Sequence, residues 1–484
     1  MNKKTTITDS ILIVLIIFVS GSQAVSQKQT KPNILFVLAD DLGWRDVGFN
    51  GSQYYETPHL DALSQKSIIF THAYANAANC APTRASILTG QYTPRHGILT
   101  VNQSDRGDKQ AQKLVPIPNT TALDTATFSL AEAIKVQGYH TAFIGKWHIG
   151  NHKQLSPLAH GFDYSLGAWE RGSPASYFSP YKNPALADGP TGEHLTDRLT
   201  REAIDYLKIR QESQPPFFLY LSYYAVHSPI EAPDTLVARF ARKNTVDKQT
   251  NATYAAMLAN FDSNVGRLLD HLEQSGLADN TWVIFYSDNG GSWRATDNSP
   301  LKGAKGTLYE GGIRVPCLVY DPNHPTRSSR VDTPIISTDL FPTFLEIAGS
   351  SVPSVPLDGE SILPLLSGAT RRNPALFWYA PVYLPGGSYS GQQFAFRGTP
   401  SSAIRKGDYK LIWYYAEEKG ELYHLSGDPS ESDNLASSHP SIYDSLQQEL
   451  TNWHQNIGAE VPNKPNPAYD SLYTQQTYSS TRFQ

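Results

Sequence analysis

The chain has 484 residues, with 40 lysines and arginines against 45 aspartates and glutamates, for a net charge of −5. This balance offers no basic field to a phosphate backbone, so we expect no nucleic-acid partner. Aromatic residues make up 11% of the chain, including 27 tyrosines, which is typical of a globular enzyme and compatible with a carbohydrate-facing surface. The length exceeds what one simple core holds, so a large domain and a smaller one are expected.

The N-terminal segment has the three-part layout of a secretory signal. Lys3 and Lys4 precede an apolar run over residues 11–19, and Ser22-Gln23-Ala24 offers a cleavage site with small residues. The alternative is a membrane anchor, but a spanning helix needs about 20 apolar residues. We therefore predict a signal peptide over residues 1–24, a secreted or periplasmic protein, and no integral membrane segment after cleavage.

Four apolar runs of strand length alternate with helical patterns, which predicts an α/β fold with a large, mostly parallel central sheet flanked by helices. The runs lie in NILFVLADD, HTAFIGKWH, FFLYLSYYAVH and WVIFYSDNGG. Polar residues capable of chemistry follow each run: Asp40 and Asp41, Lys146 and His148, His227, and Asp288 and Asn289. Because ligands bind beyond the carboxyl ends of strands in open α/β sheets, we expect these side chains to converge.

Two amphipathic helices are predicted between these strands. The first covers residues 128–137 and stops at Gly138. The second stops at Gly276, and its apolar face holds five residues at helical spacing: Met257, Phe261, Val265, Leu268 and Leu272.

The sequence pattern changes after residue 366. SAIRKGDYKLIWYY and GELYHLSGDPSESDNLA are typical of antiparallel strands with turns at Lys-Gly-Asp and Lys-Gly, and a helix is predicted over residues 441–457. We predict a catalytic domain over residues 31–366 and a smaller α+β subdomain with an antiparallel sheet over residues 367–462. The remaining tail, residues 463–484, is expected to be extended or poorly ordered.

The carboxylates at two strand ends indicate a metal site. Asp40 and Asp41 are adjacent like charges that need a counter-charge, and Asp288-Asn289-Gly290 adds oxygen ligands from another strand end. A turn or a helix cap is the alternative for each motif alone. Oxygen ligands favour Ca²⁺ or Mg²⁺ over zinc.

The segment NCAPTRASILTG predicts a helix that begins near Thr83, with Pro82 in its first turn. A helix N-terminus followed by Arg84 suits a negatively charged group. Cys80 has three interpretations on these residues alone: a nucleophile with a lowered pKa, a buried structural thiol, or half of a disulfide with Cys317.

The segment CAPTRASILTG resembles the signature of the type I sulfatases, in which the cysteine is oxidised after translation to Cα-formylglycine. Further motifs match in the family's order: ILFVLADDLGW, GYHTAFIGKWHIG, HSP, SDNGG and GAKGTLYEGGIRVP. The resemblance spans residues 31–436 and implies the alkaline phosphatase superfamily fold. One departure is Thr83, which stands where serine is usual and keeps a hydroxyl.

The resemblance implies a Ca²⁺ site and a set of catalytic residues. The residues that would hold Ca²⁺ are Asp40, Asp41, Asp288, Asn289 and modified Cys80. The hydrated aldehyde at residue 80 would attack the sulfur, while three cations would neutralise the sulfate oxygens: Arg84, Lys146 and Lys305. Lys305 is chosen over Lys302 because Gly-Thr-x-x-Glu-Gly-Gly follows it.

The resemblance also implies how protons move. His227, with Lys305, would protonate the leaving oxygen, and His148 would deprotonate the second hydroxyl of residue 80 so that sulfate is expelled. A formylglycine-generating or anaerobic maturation enzyme would convert Cys80. Cys317 is then expected to be a free, buried thiol in a core strand, and Glu310-Gly311-Gly312 to be a structural turn.

The implied activity is sulfatase action on a sulfated carbohydrate of the algal or glycosaminoglycan type. Two alternatives are a phosphodiesterase or phosphonate monoester hydrolase of the same superfamily, and a carbohydrate-binding relative without turnover. The presence of both His148 and Lys305 argues against the last, because binding alone requires neither.

Overall fold

The computed structural model describes residue 1 and residues 31–211, 215–350, 355–371, 375–389 and 391–482. Apart from Met1, the predicted signal peptide over residues 1–24 lies outside the described residues. Pro32–Gln484 form one compact unit, and the boundary between residues 366 and 367 stays a prediction. None of the helices in the described ranges has the length and apolar content that crossing a bilayer requires.

The strands of the described residues are, in chain order, β1 (Asn33–Ala39), β2 (Ile68–Phe70), β3 (Ala73–Tyr74), β4 (His140–Gly145), β5 (Tyr164–Leu166), β6 (Phe217–Ser222), β7 (Thr281–Ser287), β8 (Arg314–Val315), β9 (Leu318–Tyr320), β10 (Ser329–Val331), β11 (Ile335–Ile336), β12 (Ala375–Ala380), β13 (Leu384–Tyr389), β14 (Gln392–Gly398), β15 (Ser401–Lys406), β16 (Tyr409–Tyr414), β17 (Lys419–His424) and β18 (Ser480–Arg482). The α-helices are α1 (Pro58–Ser64), α2 (Cys80–Thr89), α3 (Thr93–His96), α4 (Leu130–Lys135), α5 (Leu195–Gln211), α6 (Asp234–Ala241), α7 (Ala252–Gln274), α8 (Glu310–Ile313), α9 (Leu340–Ile347), α10 (Leu363–Leu366), α11 (Pro440–Ile457) and α12 (Ser471–Thr477).

The central sheet has eight strands in the order β10-β2-β9-β7-β1-β6-β4-β5. The four predicted strands β1, β4, β6 and β7 are its adjacent, mutually parallel centre, so the predicted mostly parallel sheet is confirmed. Alternate residues of β1 enter two different apolar clusters, with Leu35 on one face and Phe36 on the other. Burial on both faces explains the unbroken apolar runs in the sequence.

Helix ends follow local capping chemistry. The helix predicted over residues 128–137 is shorter, because Ser129 and Glu132 form a reciprocal capping box that starts α4 at Leu130. Asn251 accepts the backbone N–H of Tyr254 and starts α7, which carries the predicted apolar face.

The C-terminal region contains the predicted antiparallel sheet, with the strand order β12-β15-β16-β17. Lys419 and Gly420 lie in β17 rather than in a turn, which corrects the predicted turn. The expectation that residues 463–484 are extended or poorly ordered is wrong for the part of the tail that the structure describes. Helix α12 forms there, and β18 pairs with β14 through Ser480 and Phe394.

Candidate active site

The site lies at the carboxyl edge of the central strands. Asp40 and Asp41 follow β1, Asp288 and Asn289 follow β7, and the two strands pair in register up to Ala39 and Ser287. Four side chains that are distant in sequence are therefore neighbours, and all are buried. A cavity of about 850 Å³ opens beside them, which is within the range of small-molecule sites.

Cys80 lines this cavity at the first residue of α2. The helix begins three residues earlier than predicted, with Asn79 as its extended N-cap and Pro82 in the first turn. The thiol Sγ lies 3.3 Å from Lys305 Nζ and 3.5 Å from Asp40 Oδ1. Cys80 is thus placed among charged groups, as a reactive residue requires.

The disulfide alternative is wrong, because Cys80 and Cys317 are both free and buried. Cys317 packs in the apolar cluster on one face of the central sheet, which confirms the expected free thiol. Thr83, the departure from the usual motif, uses its hydroxyl to bind the backbone of Ala77, donating to its carbonyl at 3.1 Å and accepting its N–H at 3.2 Å.

The ligand atoms of Asp40, Asp41, Cys80 and His227 lie within 4.8 Å of one another. Asn289 Nδ2 donates to Asp41 Oδ1 at 2.8 Å, while its Oδ1 is buried without a hydrogen-bond partner. An unsatisfied buried carbonyl costs about 1–3 kcal/mol. Two carboxylates beside an orphaned amide oxygen fit a hard cation such as Ca²⁺.

Asp288, predicted as a ligand, is held by two other groups. Its Oδ1 accepts the backbone N–H of Asp41 at 3.2 Å, and its Oδ2 accepts from Arg84 Nε at 2.8 Å. Burial opposes ionisation of Asp288, but the charges of Arg84 and Lys146 outweigh it and lower its pKa.

Arg84 lies among acceptors supplied by three strand ends. It is fully buried and absent from the cavity wall, and its Nη1 donates to the Lys146 carbonyl at 2.9 Å and to Ser222 Oγ at 2.5 Å. Nε and Nη1 are thus paired within the protein, whereas Nη2 lies 2.7 Å from Asp288 Oδ2 without an aligned hydrogen bond, and the role of Arg84 toward sulfate stays a prediction. The carboxyl ends of β4, β6 and β7 supply these acceptors, so Arg84 positions the carboxylate of Asp288.

The two lysines bind different carboxylates. Lys146 is fully buried, with Nζ 2.5 Å from Asp40 Oδ2, and Lys305 lines the cavity with Nζ 2.7 Å from Asp41 Oδ1. Burial opposes ionisation of Asp41, but Lys305 and His227 outweigh it and hold the pKa of Asp41 below its usual range. Lys302 instead lies over the Tyr309 ring, outside this cavity, which supports the choice of Lys305.

Both predicted histidines line the cavity. Burial and the charge of Lys146 hold the pKa of His148 well below its usual value, and its Nδ1 is buried without a partner. Its φ of 64° is left-handed, and its ring lies against Gly172, where a Cβ would be 2.2 Å from Cε1. His227 Nδ1 donates to the Ser228 carbonyl at 2.7 Å, which leaves Nε2 3.6 Å from Asp41 Oδ2.

Three cavity-lining arginines are absent from the sequence-based set: Arg171, Arg294 and Arg397. Arg294 lies in the loop that also carries Asn289, so its nearness in sequence to a predicted metal ligand could have indicated that it lines the site. Arg397 lies on β14, and nothing in its local sequence indicates a site.

Comparison with known sequences identifies two matching regions. The Sulfatase family model matches residues 32–350. A second model, described as N-sulphoglucosamine sulphohydrolase, C-terminal, matches residues 304–456.

Individual proteins match over nearly the whole chain. A sulfatase of Formosa agariphila is 35% identical, with 87% of this chain and 87% of that protein covered. Mouse N-acetylgalactosamine-6-sulfatase is 30% identical, with 94% and 91% covered. The crystal structure of Ps i-CgsB in complex with k-i-k-neocarrahexaose superposes with a TM-score of 0.73 at 29% identity, covering 90% of this chain and 95% of that one.

Proposed function

The chain belongs to the sulfatase family and is a sulfuric ester hydrolase of the alkaline phosphatase superfamily, and from this premise we propose that it removes sulfate from sulfated carbohydrates. The observation that carries the proposal is the position of Cys80, between Lys305 and the Asp40–Asp41 pair at the floor of the cavity. The carbohydrate assignment is supported by the names of an N-acetylgalactosamine-6-sulfatase and a carrageenan-saccharide complex among the similar proteins.

We propose that residue 80 acts after conversion to formylglycine. Sγ occupies the place of the oxygen that conversion attaches to the same carbon. The hydrated aldehyde supplies two hydroxyls on one carbon, so that one attacks sulfur and the other permits release of sulfate. The buried hydroxyl of Thr83 is hydrogen-bonded to the backbone of Ala77 in the folded protein. A maturation enzyme that recognises this hydroxyl would therefore act on the segment before it folds.

Asp40, Asp41 and Asn289 would hold Ca²⁺ together with residue 80. Asp288 would either be a further ligand or orient the other ligands through its ion pair with Arg84. When bound, Ca²⁺ supplies positive charge that lowers the pKa of a coordinated hydroxyl. Lys305 contacts both Cys80 and Asp41 through its Nζ and lines the cavity. It would stabilise the charge that develops on the sulfate oxygens.

Proton transfer is assigned to groups on the cavity wall. Because burial and the charge of Lys146 hold the pKa of His148 well below its usual value, its ring is neutral and would accept the proton from the second hydroxyl of residue 80. His227 and Lys305 flank Asp41 and would supply a proton to the leaving alcohol. The net reaction consumes one water and yields alcohol and sulfate.

Hydrolysis of matched esters tests this function. Sulfate release is expected from sulfated saccharides and from 4-nitrophenyl sulfate, with much slower release of phosphate from 4-nitrophenyl phosphate. Faster turnover of the phosphate ester would overturn the assignment.

We also propose that the protein is secreted or periplasmic, which N-terminal sequencing of the exported protein tests.

Calcium binding depends on the orphaned oxygen of Asn289. Asn289→Ala is expected to weaken Ca²⁺ binding about 10- to 100-fold by isothermal titration calorimetry, since a ligand is lost. Activity should recover at high Ca²⁺ concentration. The matched variant Asn323→Ala, which removes an amide outside the cavity, is expected to leave the affinity unchanged. Equal Ca²⁺ affinity in wild type and Asn289→Ala would remove Asn289 from the ligand set.

A further inference from the structure

We propose that Arg294 and Arg397 form a second anion subsite beside the scissile sulfate, so that the preferred saccharide carries a second anionic group, either sulfate or carboxylate. The inference rests on the proposed function, because it concerns the substrate of the same cavity. Both arginines lie on the cavity wall that also contains Cys80 and Lys305.

Arg397 is fixed close to the reactive centre. Its side chain packs across Gly306, where a Cβ would come within 2.9 Å of Cδ and Nε. Gly306 directly follows Lys305, whose Nζ contacts Cys80 at 3.3 Å. The guanidinium of Arg397 therefore lies against Gly306, the residue that follows Lys305, and Lys305 is the cation proposed to bind the scissile sulfate.

The guanidinium of Arg397 lacks an acceptor. Its Nε is buried without a hydrogen-bond partner, and no carboxylate in the described ranges forms an ion pair with Arg397 or Arg294. By contrast, Arg84 in the same site is paired with Asp288 at 2.7 Å. Arg397 is partly exposed and lines the cavity; leaving its buried Nε unpaired is costly, and a bound anion would supply an acceptor for the guanidinium.

Further positive charge surrounds Arg397. Burial, followed by the charges of Arg106 and Arg294, lowers the pKa of Arg397 in spite of Asp41 and Cys80. Nε and Nη2 of Arg106 are also buried without hydrogen-bond partners. The guanidinium groups of Arg106, Arg294 and Arg397 come from three separate segments, and together they form a positive field that attracts an anion.

Arg294 is oriented by its neighbours. Its guanidinium lies over the Trp293 ring at 5.0 Å, and its Nη2 would be 3.0 Å from a Cβ on Gly387. Arg294 is exposed, and these two contacts orient its guanidinium while leaving it open to the cavity. A planar guanidinium held in this way binds a sulfate or a carboxylate with two parallel hydrogen bonds.

The test uses substrates that share one scissile group. N-acetylgalactosamine 6-sulfate has one anion, its 4,6-disulfate adds a sulfate, and an unsaturated chondroitin 6-sulfate disaccharide adds a carboxylate. The wild-type kcat/KM is expected to be at least about tenfold higher for one of the two-anion saccharides, and the one favoured identifies the second group. Arg397→Gln should reduce that preference about 10- to 100-fold, and Arg294→Gln should reduce it too. Arg242→Gln, a loss of charge on an exposed residue outside the cavity, should not.

Two results would overturn the subsite. One is a wild-type enzyme that hydrolyses all three saccharides without preference. The other is an equal loss on all three in Arg397→Gln, which would place Arg397 at the scissile sulfate. Should 4-nitrophenyl sulfate be hydrolysed but no saccharide, the carbohydrate assignment fails separately. The subsite is then judged by inhibition: benzene-1,3-disulfonate must inhibit more strongly than benzenesulfonate in wild type and lose that advantage in Arg397→Gln.

Discussion

Cys80→Ala is expected to lower sulfate release by at least about a thousandfold, because loss of a nucleophile has cost other enzymes up to about 10⁶-fold. Cys80→Ser is expected to lose as much of the rate when it is produced in a host whose maturation enzyme converts only cysteine. The serine hydroxyl then stays unmodified; it offers one oxygen and cannot expel sulfate as a hydrated aldehyde does. Initial rates with 4-nitrophenyl sulfate, checked by ion chromatography of the released sulfate, measure the effect. The free energy of unfolding should fall by only about 1 kcal/mol.

Cys317 offers the matched control within the same chain. It is a free, fully buried thiol in the apolar cluster beneath the sheet, away from the cavity wall. Cys317→Ala is expected to lower the free energy of unfolding by about 1 kcal/mol and to keep the wild-type rate. Full activity of Cys80→Ala would contradict the assigned role of residue 80.

Lys410→Ala is expected to destabilise the fold by about 3–5 kcal/mol, because it removes the cation shared by two buried carboxylates, of which Glu310 keeps the more distant Arg314 at 3.8 Å. Lys410 Nζ on β16 lies 3.0 Å from Glu310 Oε1 and 2.9 Å from Glu431 Oε1, and all three side chains are fully buried. Glu310 also accepts the Tyr74 hydroxyl at 2.7 Å, so the group joins the antiparallel sheet to the catalytic region. Urea unfolding followed by circular dichroism measures the loss.

The control separates charge from packing. Lys410→Met keeps most of the side-chain volume and should still destabilise, whereas adding Glu310→Gln and Glu431→Gln should recover at least half of the loss. A change of less than about 0.5 kcal/mol in Lys410→Ala would show that the buried ion pairs contribute nothing.

Sequence reasoning succeeded where strand direction alone brings residues together. Asp41 and Asn289 were predicted to meet because each follows an apolar run, and the in-register pairing of β1 and β7 places Asn289 Nδ2 2.8 Å from Asp41 Oδ1. The parallel sheet was predicted for the same reason, since its strands are buried on both faces and form continuous apolar runs.

It failed where partner choice depends on three-dimensional contacts. The sequence did not indicate that Arg84 Nε donates to Asp288 and that its Nη1 donates to the Lys146 carbonyl, because these acceptors come from distant strands. Arg397 lies on β14, about a hundred residues after Lys305 in the chain. Nothing in the sequence around Arg397 indicates that its side chain packs across Gly306. The pairing of β18 with β14 was equally hidden, because it depends on an edge formed elsewhere in the chain.

The most direct test of the central claim is peptide mass spectrometry of residue 80 in active enzyme, made together with its specific activity. The predicted peptide has the thiol sulfur replaced by oxygen and two hydrogens fewer, and specific activity should rise in proportion to the converted fraction across preparations. A fully active preparation in which residue 80 is entirely unmodified cysteine would contradict the account.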